Sequence, residues 1–124
     1  MAADATKKIL VVDDDPIVCK LASGILKQNG FEVSTVNDGL DAMNQVKKNA
    51  PDLLVLDVMM PEVNGYDVCN NLKFDDQYKH IPIILLTTRD QELDPRVGQM
   101  MGIHYMQKPV NSEVLLAKVK SLLK

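Results

Sequence analysis

Five short apolar runs, Ile9 to Val12, Phe31 to Val36, Leu53 to Leu56, Ile81 to Leu86 and Ile103 to Met106, recur along the chain at intervals wide enough for a helix. The first, third and fourth are continuous rather than alternating, so strands built from them need cover on both faces. A parallel sheet flanked by helices meets that requirement.

The intervening stretches carry apolar residues every three or four positions. Val18, Leu21, Ala22, Ile25 and Leu26 form one stripe, opened by Pro16 and ended by Asn29-Gly30. Leu40, Met43 and Val46 form a second, begun after Asn37-Asp38-Gly39 and stopped before Pro51; Tyr66, Cys69 and Leu72 mark a third. Asp94-Pro95 signals the start of a fourth helix that Gly98 and Gly102 keep weak or short. Asn111 or Ser112 caps a fifth, with Val114, Leu115, Val119 and Leu122 on its buried side. The pattern is βα five times, and right-handed crossovers make it a three-layer α/β sandwich. Periodicity leaves the order of the strands open.

The 124 residues suit one domain, expected over 1–124 with an ordered core of about 7–123. Seventeen acidic residues against 14 basic ones disfavour nucleic acid as a direct partner. No run reaches membrane-spanning length and the opening MAADATKK lacks a signal-like apolar stretch, so a soluble cytoplasmic protein without a membrane partner is expected. Cys19 and Cys69, with no CxxC pair, read as small packed side chains in a reducing compartment.

Ligands of open parallel sheets sit beyond the carboxyl ends of the strands. Asp13 and Asp14 fall at the end of the first strand and Asp57 at the end of the third. Any one of them alone could be a solvated loop acid. On neighbouring strands the three would repel one another unless a cation compensated, and an oxygen-only donor set favours Mg²⁺, with Mn²⁺ able to replace it. Thr87 closes the fourth strand and Lys108 follows the fifth. Three acids, a hydroxyl and an ammonium around one cleft suit a metal together with a phosphoryl group, with Asp57 as an ionised nucleophile.

At Asp13-Asp14, Asp57, Thr87 and Lys108-Pro109 the chain resembles the receiver domains of two-component response regulators, over essentially residues 7 to 123. The resemblance implies a doubly wound, flavodoxin-like (βα)5 fold with a five-stranded sheet in the order 2-1-3-4-5. It implies Asp57 as phosphoacceptor, Asp14 as direct metal ligand, Asp13 as its partner acid, and the Met59 backbone carbonyl as a further ligand. Thr87 is similar to the switch hydroxyl, Tyr105 to the switch aromatic, and Lys108 to the lysine that pairs with the phosphoryl group, preceding a peptide commonly cis. Met60-Pro61 and Gly65 match the loop after the acceptor, where Gly65 is expected to take a turn conformation closed to other residues. Asp15 reads as a cap or first-turn acid of the first helix.

Several residues depart from the family's commonest pattern. Thr88 stands where a smaller residue is frequent, Ile103-His104 replaces an acidic pair, and the DPRVG segment departs most. Met59, Thr88 and Arg89 occupy positions that tune phosphoryl lifetime, and His104 reads as a surface or packing histidine. The implied activity is transfer of a phosphoryl group from phosphohistidine of a sensor histidine kinase or phosphotransfer protein onto Asp57 with Mg²⁺, followed by its loss to water. An unidentified downstream protein is the expected output, with a phosphorylation-dependent homodimer as a further option. The donor is expected against the first helix, with Val18, Cys19 and Ala22 as contacts insofar as they are not core. A stand-alone regulator is the first expectation, and a receiver cut from a longer regulator or hybrid kinase the alternative.

Three rivals share parts of this pattern. A phosphohydrolase of the haloacid-dehalogenase type would show a DxD nucleophile and a cap domain, and it would turn over small esters. A flavodoxin-like module would offer its FMN phosphate hydroxyls and amides rather than Asp13 to Asp15. A degenerate receiver acting only as a scaffold would lack members of the catalytic set.

Overall fold

The computed structural model describes residues 6–60, 63–87 and 102–123. Strands β1 (Lys8–Val12), β2 (Glu32–Val36), β3 (Leu53–Asp57), β4 (Ile83–Thr87) and β5 (Ile103–Gln107) pair in parallel in the order β2-β1-β3-β4-β5. Helices α1 (Pro16–Gln28), α2 (Gly39–Lys48), α3 (Gly65–Lys73) and α4 (Ser112–Leu122) complete the described elements. The helix expected near Asp94-Pro95 lies outside the described residues, so α4 is the helix that the sequence pattern counts fifth.

Alternation along the strands divides the core in two. Leu10, Val12, Leu54, Leu56, Ile83 and Leu85 face one layer, where they meet Ala42 and Val46 of α2 and Val68 and Leu72 of α3. Ile9, Val11, Leu53, Val55, Ile84 and Leu86 face the other, against Ala22 and Leu26 of α1 and Leu115 and Val119 of α4. The continuous apolar runs of β1, β3 and β4 are thus covered on both sides, as expected.

The helix starts follow local chemistry. Asp15 caps α1, accepting from the Ile17 N–H at 2.9 Å ahead of Pro16 at the first helical position. Asn111 rather than Ser112 caps α4, accepting from the Val114 N–H at 3.0 Å. At α3, Asn64 and Asp67 form a reciprocal capping box. Three of the expected buried positions are corrected: Leu21, Leu40 and Val114 are exposed. They lie at the edges of their stripes, and the buried width is filled instead by Ala22, Ala42 and Leu115.

Gly65 also departs from expectation. Its φ is not in the left-handed range, and what it supplies is room: a Cβ there would fall on the Asp57 carbonyl oxygen and within 2.8 Å of Val58 Cα. The Gly65 N–H donates to the Val58 carbonyl at 2.9 Å, so α3 starts directly against the end of β3. Gly65→Ala, which in an open helix would stabilise, is therefore expected to destabilise by about 1–3 kcal/mol. A urea midpoint at or above wild type would contradict the close approach.

Candidate functional site

Parallel register assembles the site. Val12 lies opposite Leu56, so Asp13 and Asp57 leave the sheet side by side. Asp57 lies opposite Leu86 and Thr87 opposite Gln107, which brings Thr87 and Lys108 to the same edge. Asp13 is 0% exposed and Asp57 1%, whereas Asp14 faces solvent. One carboxylate oxygen from each of the three acids lies within 4.8 Å of the others.

The Lys108 ammonium stands 2.9 Å from Asp57 Oδ1 and 3.2 Å from Asp13 Oδ2. Its backbone N–H donates to the Thr87 carbonyl at 2.8 Å, and the Lys108-Pro109 peptide is cis. The Thr87 hydroxyl is buried at the same strand end and has no hydrogen-bond partner among the described residues. Asp57 Oδ1 also accepts from the Met59 N–H at 3.3 Å, while the Met59 side chain is 63% exposed. Tyr105 is half-buried on β5 and packs against the core face shared with α2 and α3.

Electrostatics follow from this crowding. Burial raises the Asp57 carboxyl to about 6; the Lys108 hydrogen bond opposes the rise and the Asp13 charge adds to it. Burial pulls Lys108 down, but Asp57 and Asp13 outweigh it and the ammonium is raised. At neutral pH the pair is carboxylate and ammonium. Among the described residues one cation then faces three carboxylates, two of them buried, and the uncompensated charge suits a divalent ion with oxygen preference. The donor set fits a metal site.

All of Asp13, Asp14, Asp57, Thr87 and Lys108 converge on one cleft. Pro61, Thr88 and Arg89 lie outside the described residues. The sequence pattern gave no warning of the groups that hold Asp13. Asn37 Nδ2 and the Cys19 thiol each donate to the Asp13 backbone carbonyl at 3.3 Å. Both thiols are pushed up by burial, Cys19 further by Asp13 and Cys69 to about 11, which keeps them protonated. His104 is half-buried, and burial together with Lys118 and Lys73 lowers its pKa, consistent with a packing role.

A family model described as the response regulator receiver domain matches residues 9–120. The chain belongs to this family. As a receiver domain it is similar to the regulator PhoP of Bacillus subtilis, 40% identical over 95% of this chain but only 49% of PhoP. Against Protein PilG of Pseudomonas aeruginosa it is 33% identical over 92% of this chain and 85% of PilG. The chemotaxis response regulator CheY4 of Vibrio cholerae superposes with a TM-score of 0.84 at 32% identity, covering 96% of this chain and all of that one, 100%. The receiver thus spans about half the length of PhoP and most of PilG. Among the described residues no helix is long and apolar enough to cross a membrane.

Proposed function

We propose that this receiver domain accepts a phosphoryl group on Asp57 and uses it to change a protein-binding face. The convergence of Asp13, Asp14 and Asp57 with Lys108 and Thr87 at one sheet edge carries this reading. An Asp57 oxygen bonds to the phosphorus of a phosphohistidine, the phosphorus–nitrogen bond breaks, and the electron pair leaves with the imidazole, which takes a proton from solvent. Water later attacks the aspartyl phosphate and returns Asp57 and inorganic phosphate. Asp14, Asp13, Asp57 and the Met59 carbonyl would hold Mg²⁺, with Mn²⁺ as substitute. When bound, the ion supplies positive charge beside the phosphoryl oxygens.

The chain's own residues supply the rest. Lys108 already stands against Asp57 Oδ1 and pairs with a phosphoryl oxygen once Asp57 is modified. The buried Thr87 hydroxyl gains an acceptor by turning toward the same group, and Tyr105 on the neighbouring strand responds to the space it leaves. Lys108→Ala should slow labelling from acetyl phosphate at least about tenfold. Mg²⁺ affinity should hold or rise in that variant, because a competing cation is gone; normal labelling would contradict the assignment of Lys108.

A histidine kinase or phosphotransfer protein is the proposed donor. Of the contacts expected on α1 insofar as they are not core, Cys19 and Ala22 are core and drop out, leaving the half-buried Val18; the large apolar groups that α1 leaves to solvent are Ile17, 75% exposed, and Leu21. With the exposed Met59, two residues after Asp57, they form the proposed docking edge. The described residues form one receiver unit, proposed to extend over the whole of 1–124. A stand-alone cytoplasmic regulator acting through a downstream protein or a homodimer is the first reading, and PilG is a relative that the chain matches over 85% of its length. The half-length match to PhoP favours the second reading, a unit of a longer regulator.

The test is stoichiometry. Mixed with a phosphohistidine-bearing donor and Mg²⁺, the protein should take up label to a limit of one phosphoryl group per chain. Steady release of phosphate from small esters without a saturable label would favour a phosphohydrolase instead.

A further inference from the structure

Asp13 is held at its amide, its carboxylate and its backbone carbonyl. Its N–H donates to the Val36 carbonyl at 3.3 Å, and its Oδ1 accepts from the Asp15 N–H at 2.9 Å. Its backbone carbonyl takes two side-chain donors, Asn37 Nδ2 from the loop between β2 and α2 and Cys19 Sγ from α1, each at 3.3 Å. The two donors also lie 3.9 Å apart, so three chain segments meet at one carbonyl. Both lone pairs of that oxygen are used, and only the amino end of the Asn37 amide can bond a carbonyl.

We infer that Asn37 is a positioning residue for the metal-binding acid cluster, acting through the Asp13 backbone with Cys19 as its partner. The inference rests on the proposed role of Asp13 and Asp14 at a Mg²⁺ site. Asn37 is outside the three-acid cluster and exposed, and among the described residues its side chain bonds to the Asp13 carbonyl and the Cys19 sulfur. Rotation of the Asp13 peptide would swing its carboxylate away from Asp14 and Asp57, and the two donors to the carbonyl resist that rotation. Loss of the Asn37 bond therefore leaves the acids in place chemically but less often in register.

Asn37→Asp separates this from a simple charge effect. The change keeps the shape, removes the donor and adds a negative charge near a cation site. Charge alone would tighten Mg²⁺ binding; positioning predicts the reverse, because a carboxylate against the Asp13 carbonyl repels it. Calorimetric titration of the full chain should show the Mg²⁺ dissociation constant rising about three- to tenfold, the equivalent of one net hydrogen bond. Labelling from acetyl phosphate should be slow at low Mg²⁺ and return to the wild-type rate at saturating Mg²⁺, a recovery that a damaged acceptor would not show. Asn37→Ala, which removes the donor without adding charge, should also weaken binding and serves if the aspartate variant does not fold. Unchanged or tighter binding in a folded variant, beside a wild type that binds Mg²⁺, overturns the inference alone. A wild type that binds no Mg²⁺ overturns the site reading and the inference together.

Discussion

The Asp57→Asn protein should take no phosphoryl group and yet fold more stably than wild type in the absence of divalent ions. The two effects share one cause. Asp57 is 1% exposed, and its carboxyl is raised to about 6 by burial first and by Asp13 in addition, against the opposing hydrogen bond from Lys108. A carboxyl that titrates higher folded than unfolded binds more protons in the native state between those two values. Its stability contribution is therefore complete below about pH 4, declines as pH rises toward 6, and stays lost above that. Ionisation costs at most about 3 kcal/mol at neutral pH on this basis.

Asparagine keeps the shape and removes that cost. Lys108 loses one of its two carboxylate partners but retains Asp13 at 3.2 Å, so the net gain should be about 1–2 kcal/mol. The urea midpoint of Asp57→Asn should exceed that of wild type at pH 7, and the two should converge near pH 4. A lower midpoint at pH 7, or a persistent hydroxylamine-sensitive label, would show that Asp57 is neither the strained acid nor the acceptor. Mg²⁺ should narrow the gap by stabilising wild type more than the variant.

Asp14→Asn should have the opposite profile. Asp14 is exposed, and its removal should change folding stability by less than about 0.5 kcal/mol. Its carboxylate nevertheless completes the three-acid cluster. Mg²⁺ affinity should fall at least about tenfold, since even groups that only support a metal ligand commonly cost 10–100-fold. Calorimetric titration with MgCl₂ beside a urea titration checks both halves. Unchanged affinity would place the ion elsewhere, and a large loss of stability would mean that Asp14 belongs to the fold rather than to the ion.

The contrast between Asp57 and Asp14 shows what local sequence could and could not convey. Carboxylates at the ends of apolar runs were visible because strand ends in parallel sheets are where chemistry gathers, and the class of fold followed from runs that need cover on both faces. Strand order depends on pairing between distant segments and came only through the family resemblance. Stripe periodicity locates a helix face but not its edges, which is why Leu21, Leu40 and Val114 read as core and prove exposed. Gly65 suggests conformational freedom in the sequence because a sequence displays backbone preference; its actual need is space beside Asp57 and Val58, a property of the folded chain. Asn37 and Cys19 gave no chemical signature, since their contacts are to a backbone carbonyl that every residue type possesses.

The proposed function requires a single acceptor carboxylate, Asp57, beside the acid pair proposed to bind a cation, Asp13 and Asp14. Wild-type protein should be incubated with acetyl phosphate and Mg²⁺, then measured by intact mass and peptide mapping. One hydroxylamine-labile phosphoryl group on the peptide containing Asp57, dependent on the divalent ion, is the predicted result. A stable label on another residue, or equal labelling with chelator present, would contradict it.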